Sequence, residues 1–129
     1  MSAADARTGL GFIAPPPGLA PHVDFSLEAI AGADGLYALT AVSDADVRLF
    51  AVDPATVVPD YAPVLTDGQA EDLGLRSPDE ARLLVFARMT EEGIGLNLLA
   101  PVVINQRTGD AAQVILEGQD YPVRALLAR

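Results

Sequence analysis

The segment Asn97–Val123, NLLAPVVINQRTGDAAQVILEGQDYPV, decides the fold of this 129-residue chain. It contains two apolar runs, Leu98–Ile104 and Ala112–Leu116, separated by the polar turn Gln106–Asp110. β-Branched runs that flank a short turn containing glycine are typical of a β-hairpin. The segment therefore predicts two antiparallel strands. Its polar edge residues are mostly amides, which bond the backbone well but transfer protons poorly.

Shorter apolar stretches that end in turns precede the hairpin and predict further strands. The segment 81–89 is ambiguous, because its composition suits a helix whereas Leu83, Val85 and Ala87 alternate as in a strand. Its flanking turns favour the strand. The other predicted strands and turns are Phe25–Leu27, the turn Gly32–Gly35, Leu36–Val42, the turn Ser43–Asp46 and Val47–Val52.

One short helix is predicted near residues 67–73. Thr66 lies three residues before Gln69, which is capping-box spacing, and Gly74 is a good helix stop. Several short strands with regular turns and one helix predict an all-β fold. We expect a small antiparallel β-barrel or sandwich with this helix on its surface.

The N-terminal residues 1–21 are rich in Ala, Gly and Pro. Pro15–Pro17 favours an extended polyproline conformation, which donates no backbone hydrogen bonds. We predict a loose tail to residue 10 and an extended arm from residue 11 to residue 21. Residues 22–129 then form a single domain, as the length suggests.

The composition limits the possible functions. The net charge is −10, and all eight cationic residues are arginine, so direct binding to nucleic acid or to an anionic membrane is disfavoured. The absence of cysteine excludes thiolate chemistry and disulfides. No apolar run approaches the length of a membrane span or a signal-peptide core. We expect a soluble, cytoplasmic protein.

Few residues suggest catalysis or metal binding. His22 is the single histidine and adjoins Pro21, and the pair Asp44 and Asp46 lacks the further ligands of a cation site. We therefore expect no catalytic, cofactor or metal residues. One alternative is a β-barrel enzyme or ligand-binding protein that uses Asp60, Asp120 and the tyrosines around a cavity. Another is a structural module whose three prolines, residues 15–17, bind an aromatic groove.

The hairpin segment resembles the flagellar assembly factor FliW family, and the resemblance covers roughly residues 24–127. The chain departs from the family pattern at Gly18–His22, where the family has Gly-Leu-Pro-Gly-Phe, and in a shorter loop at Thr90–Gly95. The matching stretches are Val47–Pro54, Pro59–Tyr61, Asp72–Leu75, Asn97–Asn105, Gln113–Leu116 and Asp120–Pro122.

The resemblance implies a non-enzymatic, monomeric binding protein. Members of the family bind flagellin and the translational regulator CsrA, and thereby relieve the repression of flagellin translation by CsrA. Residues 60–80 carry six acids against Arg76, which is either a solvated polar face or a docking surface for a basic, RNA-binding partner. The residues that we expect to contact partners are Asp60, Tyr61, Glu71, Asp72, Asn97, Asn105 and Tyr121.

Overall fold

A computed structural model describes residues 7–122 and 125–126. These residues form strands, one short α-helix and two 3-10 turns at Pro54–Thr56 and Pro78–Glu80. The helix α1 spans Asp67–Asp72, as the capping pattern predicted. The strands are β1 Arg7–Phe12, β2 Asp24–Ala29, β3 Leu36–Ala41, β4 Asp44–Val52, β5 Ala81–Thr90, β6 Gly93–Leu96, β7 Val102–Asn105, β8 Asp110–Gln113 and β9 Ala125–Leu126.

The sheet closes into a barrel. Its strands follow the order β4-β3-β2-β1-β8-β7-β5, and β4 also pairs with β5. The pairs are antiparallel except for the short parallel contact between β1 and β8. Strands β6 and β9 extend the sheet beyond β5. The predicted all-β fold with one short helix is confirmed, and the closed order is that of a barrel rather than a sandwich.

Alternating apolar residues fill the barrel. Phe25 and Leu27 on β2 are at most 2% exposed, and so are Leu39 and Ala41 on β3. Phe12 and Phe25 meet edge to face, with ring centroids 5.4 Å apart. A period of two residues places these side chains on one face of each strand, so burying that face requires closure around it.

The prediction of a loose tail as far as residue 10 is wrong. Arg7–Phe12 is a full strand that pairs with β2 and, at Gly11 and Phe12, with β8. Leu10 and Phe12 alternate into the core and are each 4% exposed. Gly9 and Gly11, which alternate with them, carry no side chain, so the alternation is inconspicuous in the sequence. The domain thus includes residues before 22, and residues 1–6 of the predicted tail lie outside the described residues.

The predicted hairpin is confirmed as β7 and β8, although both strands are shorter than expected. Residues 98–101 and 114–116 lie outside the strands and form the irregular region described below. The ambiguous segment at residues 81–89 is a strand, β5, as its flanking turns favoured. Strand β5 pairs with β4, β6 and β7, which makes it the junction between the barrel and its extension.

Candidate partner-binding surface

A large bulge separates β6 from β7 along one edge of β5. Leu84 pairs with Val102, and Ala87 pairs with Leu96. Between these pairs lie two residues on β5 but five on the opposite strand, Asn97–Pro101. The extra residues bend the chain out of the sheet. This bulge contains the start of the segment that carries the family resemblance.

The bulge is stabilised mainly by hydrogen bonds to groups other than β5. The Asn97 side-chain oxygen accepts from the Ala100 N–H at 3.1 Å, which closes the loop on itself. Four of its carbonyls accept hydrogen bonds from elsewhere in the chain, so the irregular backbone is satisfied although it has left β5. The carbonyls of Leu98 and Ala100 accept from the Tyr61 hydroxyl at 2.5 Å and from Gln113 Nε2 at 3.1 Å. The carbonyls of Leu99 and Pro101 accept from the N–H groups of Leu116 at 2.9 Å and of Val114 at 3.0 Å.

Two tyrosines pack against each other beside the bulge. The rings of Tyr61 and Tyr121 meet edge to face, with centroids 4.8 Å apart. The Tyr121 hydroxyl accepts from the Ala62 N–H at 3.3 Å. Burial raises the pKa of Tyr61, and the neighbouring Tyr121 raises it further. Tyr61 therefore stays a neutral hydrogen-bond donor to the bulge across the physiological pH range.

The segment before α1 is fastened by an amide rather than by a β-ladder. The Gln119 side chain accepts from the Val64 N–H at 2.9 Å and donates to the Val64 carbonyl at 2.8 Å. A single side-chain amide thus replaces one peptide group of a neighbouring strand. This contact and the tyrosine pair hold residues 61–66 against residues 116–121.

Asn105 connects the end of α1 to the hairpin. Its amide donates to the Leu73 carbonyl at 2.8 Å, and its oxygen accepts from the Arg107 N–H at 2.9 Å. The side chain is 0% exposed. The prediction that Asn105 contacts a partner is therefore wrong, because both of its polar ends are used inside the protein. It satisfies a helix C-terminal carbonyl that the helix cannot bond itself.

Glu80 is also occupied within the fold. Its carboxylate accepts from the Arg76 N–H at 2.7 Å and from Arg107 Nε at 3.0 Å. Arg107 reaches the Gly74 carbonyl as well, at 2.9 Å. The Arg76 N–H and then the Arg107 guanidinium hold the pKa of Glu80 below its usual value. Glu80 therefore belongs to a structural network rather than to a free acidic patch.

The remaining acids near α1 face solvent. Asp67, Glu71 and Asp72 on the helix are exposed, and no cation pairs with them within the described residues. Asp60, which precedes Tyr61, is also exposed. Leu73 at the end of α1 shares one apolar cluster with both tyrosines.

That cluster brings the predicted contact residues into two adjoining groups. Tyr61, Tyr121 and Asn97 lie at the bulge, whereas Glu71 and Asp72 lie on the helix. The bulge group consists of side chains that hold the backbone, and the helix group consists of free carboxylates. The expectation that these residues contact partners stays a prediction.

The alternatives raised by the sequence receive no support from the geometry. Asp60 and Asp120 are both exposed beside the tyrosine pair, which is unlike the enclosed cavity that an enzyme of this kind requires. Pro16 is fully buried, so the proline run is part of the fold and not a free ligand for an aromatic groove. Within residues 7–122 and 125–126, no group of three or more potential metal-ligating side chains is arranged for a cation.

Two exposed apolar side chains lie beside α1 that the sequence pattern did not single out. Ile13 is 50% exposed and Ile115 is 58% exposed. Both line a depression of about 380 Å³ together with Pro15–Pro17 and Asp72. Each isoleucine adjoins a predicted strand or arm, and only the pairing of β1 with β8 reveals that they flank the same depression.

Comparison with known proteins identifies the family. The family model described as FliW protein matches residues 2–127. The chain belongs to the FliW family. It is 41% identical over 95 residues to the flagellar assembly factor FliW of Thermotoga neapolitana, and 36% identical over 92 residues to that of Pseudothermotoga lettingae. These matches cover 70% and 69% of this chain, but 62% and 59% of the two relatives.

A solved FliW structure shares the fold. The crystal structure of the flagellar assembly factor FliW superposes with a TM-score of 0.86 at 24% identity, covering 94% of this chain and 86% of that one. The resemblance inferred from the hairpin segment is thereby confirmed, and it extends to the N-terminal strand that the sequence analysis missed. In the described part of the chain, no helix has the length and apolar character needed to cross a bilayer.

Proposed function

We propose that this FliW-family protein binds flagellin and the translational regulator CsrA in the cytoplasm, and that it relieves the repression of flagellin translation by CsrA without making or breaking covalent bonds. The observation that carries the proposal is the free acidic face of α1 within a FliW fold. The helix offers three exposed carboxylates, Asp67, Glu71 and Asp72, and the whole chain carries a net charge of −10.

This charge suits a protein that opposes RNA binding by its partner. An RNA-binding protein presents cations, so the acidic face attracts it and accelerates the encounter. Once bound, the acidic protein repels RNA phosphates near the partner's surface. It does so without occupying the RNA site itself. Since exposed charges are screened by salt, the antagonism should weaken as ionic strength rises.

The tyrosine pair and bulge offer a second, less charged surface for flagellin. The helical ends of flagellin carry an apolar stripe, which needs a partner surface with exposed rings and aliphatic groups. Tyr61 and Tyr121 are half-buried, and their ring contact and the Tyr61 hydrogen bond to the bulge hold them in place. A rigid surface loses little side-chain entropy on binding. Separate surfaces would let the two partners be tested independently.

The test is co-purification of the tagged protein with flagellin and CsrA at low salt. A Glu71→Gln/Asp72→Asn variant removes two charges from α1. We expect it to capture CsrA roughly tenfold less well, because rim charges steer association. The matched control is Glu91→Gln/Glu92→Gln, which removes two exposed charges from the turn between β5 and β6.

Three results would count against the proposal. Recovery of neither protein by the unaltered chain would remove the assignment of partners. Equal loss of CsrA with both double variants would show that net charge matters but the α1 surface does not. A CsrA antagonism that is indifferent to salt would exclude the electrostatic mechanism.

A further inference from the structure

The parallel ladder between β1 and β8 stops at the proline run. The Gly11 N–H donates to the Gly109 carbonyl at 3.0 Å, and the Ile13 N–H donates to the Ala111 carbonyl at 2.9 Å. The next donor in this alternating series would be residue 15, facing the Gln113 carbonyl. Residue 15 is proline and has no N–H. The ladder therefore ends there, although β8 and its extension continue.

The outer edge of β8 and its extension is consequently unpaired from Gln113 to the Ile115 N–H, and it ends at the Ile115 carbonyl, which accepts from Gln69 Nε2 at 3.3 Å. Val114 and Leu116 direct their N–H groups inward, to the bulge carbonyls at 3.0 and 2.9 Å. In an extended chain the intervening residues face the other way. Within the described residues, the N–H groups of Gln113 and Ile115 and the carbonyl of Gln113 have no hydrogen-bond partner. Three adjacent backbone groups thus present the pattern of an unpaired strand edge.

This edge lies in the depression beside α1. Ile13 and Ile115 supply exposed apolar surface, whereas Asp72 and Glu117 supply carboxylates. Among the described residues, no cationic side chain lines it. This combination of apolar side chains and acids complements a segment that alternates apolar and cationic residues.

We infer that this open edge binds an extended segment of a partner protein by strand addition, and that the segment alternates apolar residues with Lys or Arg. Backbone pairing with Gln113 and Ile115 provides the hydrogen bonds. The isoleucines contact the apolar residues, and Asp72 and Glu117 contact the cations. The inference goes beyond the proposed function, since it holds whichever protein supplies the segment.

The proline run favours a binding role for the unpaired edge over an accidental gap in the sheet. An unpaired strand edge invites pairing with other chains, so proteins usually cover or charge it. Here the chain's own arm lies alongside but lacks the donor that would close the ladder. A helix could not use the free backbone groups, because its own N–H and C=O groups bond internally. The complementary occupant is therefore an extended segment.

The probe is a synthetic octapeptide of alternating Arg and Val, added at about 1 mM, the scale of a weak interaction. Backbone amide NMR of the full chain provides the measurement. We expect hydrogen exchange at the Gln113 and Ile115 amides to slow at least about fivefold when the peptide saturates, because newly bonded amides are protected. One control peptide carries N-methyl groups on alternate amides, and a second carries Glu in place of Arg. Neither control should bind.

A pair of variants tests the same contact from the protein side. Ile115→Pro removes one of the free N–H groups, whereas Ile115→Val retains it. We expect the proline variant to lose most peptide binding and the valine variant to keep it. The inference is overturned if no peptide binds, if binding leaves the two amides unprotected, or if a control peptide binds equally well. The peptide controls decide the question even if Ile115→Pro unfolds.

Discussion

The barrel interior and the layer around α1 are held together in different ways. Inside the barrel, strand ladders bond the backbone and the buried residues of the central cluster are all apolar. Around α1, side chains take over the bonding of the backbone. Gln119 replaces a strand next to Val64, and Asn105 bonds the end of the helix. Tyr61 bonds the bulge.

This difference shows where the chain can specialise. A closed strand ladder allows little change in strand register, since a shift of one residue in a strand would turn every apolar side chain of that strand outward. The layer around α1 depends instead on a few separate polar contacts, each of which fixes one loop. Its loops can therefore differ in shape while the barrel stays the same. The surfaces that we propose for partners all lie in this second layer.

Truncating the barrel core should give the largest effect. Phe25 is 1% exposed and packs edge to face on Phe12. Phe25→Ala leaves a cavity and should lower the free energy of unfolding by about 3–5 kcal/mol. Urea denaturation followed by circular dichroism measures this change. If Phe25→Ala costs no more than the polar substitutions below, the barrel is not the more stable of the two regions.

Asn105→Ala should give the next largest effect. The substitution leaves the Leu73 carbonyl and the Arg107 N–H without their partner. A buried group left unsatisfied costs about 2 kcal/mol, so urea denaturation should show a loss of that size. Hydrogen exchange should speed up in α1 before it does in β2 and β3. Uniform acceleration across the barrel would mean that the two regions unfold as one unit.

Gln119→Ala should have a smaller and more local effect. It removes two hydrogen bonds to Val64 at a partly exposed site, which should cost about 1 kcal/mol. The Val64 amide should exchange faster while the barrel amides stay protected. The matched control is Gln106→Ala, whose amide donates once to the Asp79 carbonyl, at 3.3 Å. A larger effect from the control would contradict the bridging role of Gln119.

The smallest effect should come from Glu80 and should depend on pH. Its pKa is lowered in the folded state from the ordinary 4.5. Its contribution to stability is therefore complete above about pH 4.5 and is lost as the pH falls through the lower folded value. Glu80→Gln should flatten this part of the stability profile. Thermal unfolding from pH 6 to pH 3 measures this profile, and a variant profile as steep as that of the unaltered protein would contradict the prediction.

The local features of the fold could be predicted from the sequence. The capping box of α1 and the turn between β7 and β8 depend on residues that are close in the chain, so their spacing is sufficient. Strand β1 was missed because Gly9 and Gly11 interrupt its apolar alternation. The bulge at Asn97–Pro101 could not be predicted, because it is defined by the register of β6 and β7 against β5.

The candidate site could be predicted only in part. Tyr61 and Tyr121 were identified from the motifs that contain them, but their contact spans distant parts of the chain. Asn105 was placed at a surface because an amide after an apolar run is typical of a strand end. Its burial depends on α1 covering that end. The open edge of β8 becomes visible only when β1 is known to be its neighbour.

The parallel contact between β1 and β8 has a consequence for synthesis in the cell. It joins the first strand of the barrel to a strand made about a hundred residues later, so the seam cannot form until β8 has been translated. Until then, the strands that are made first have an unpaired edge at β1. Loop-closure entropy slows the pairing of β1 with β8. A ribosome stalled before residue 110 would therefore hold a barrel that remains open along this line.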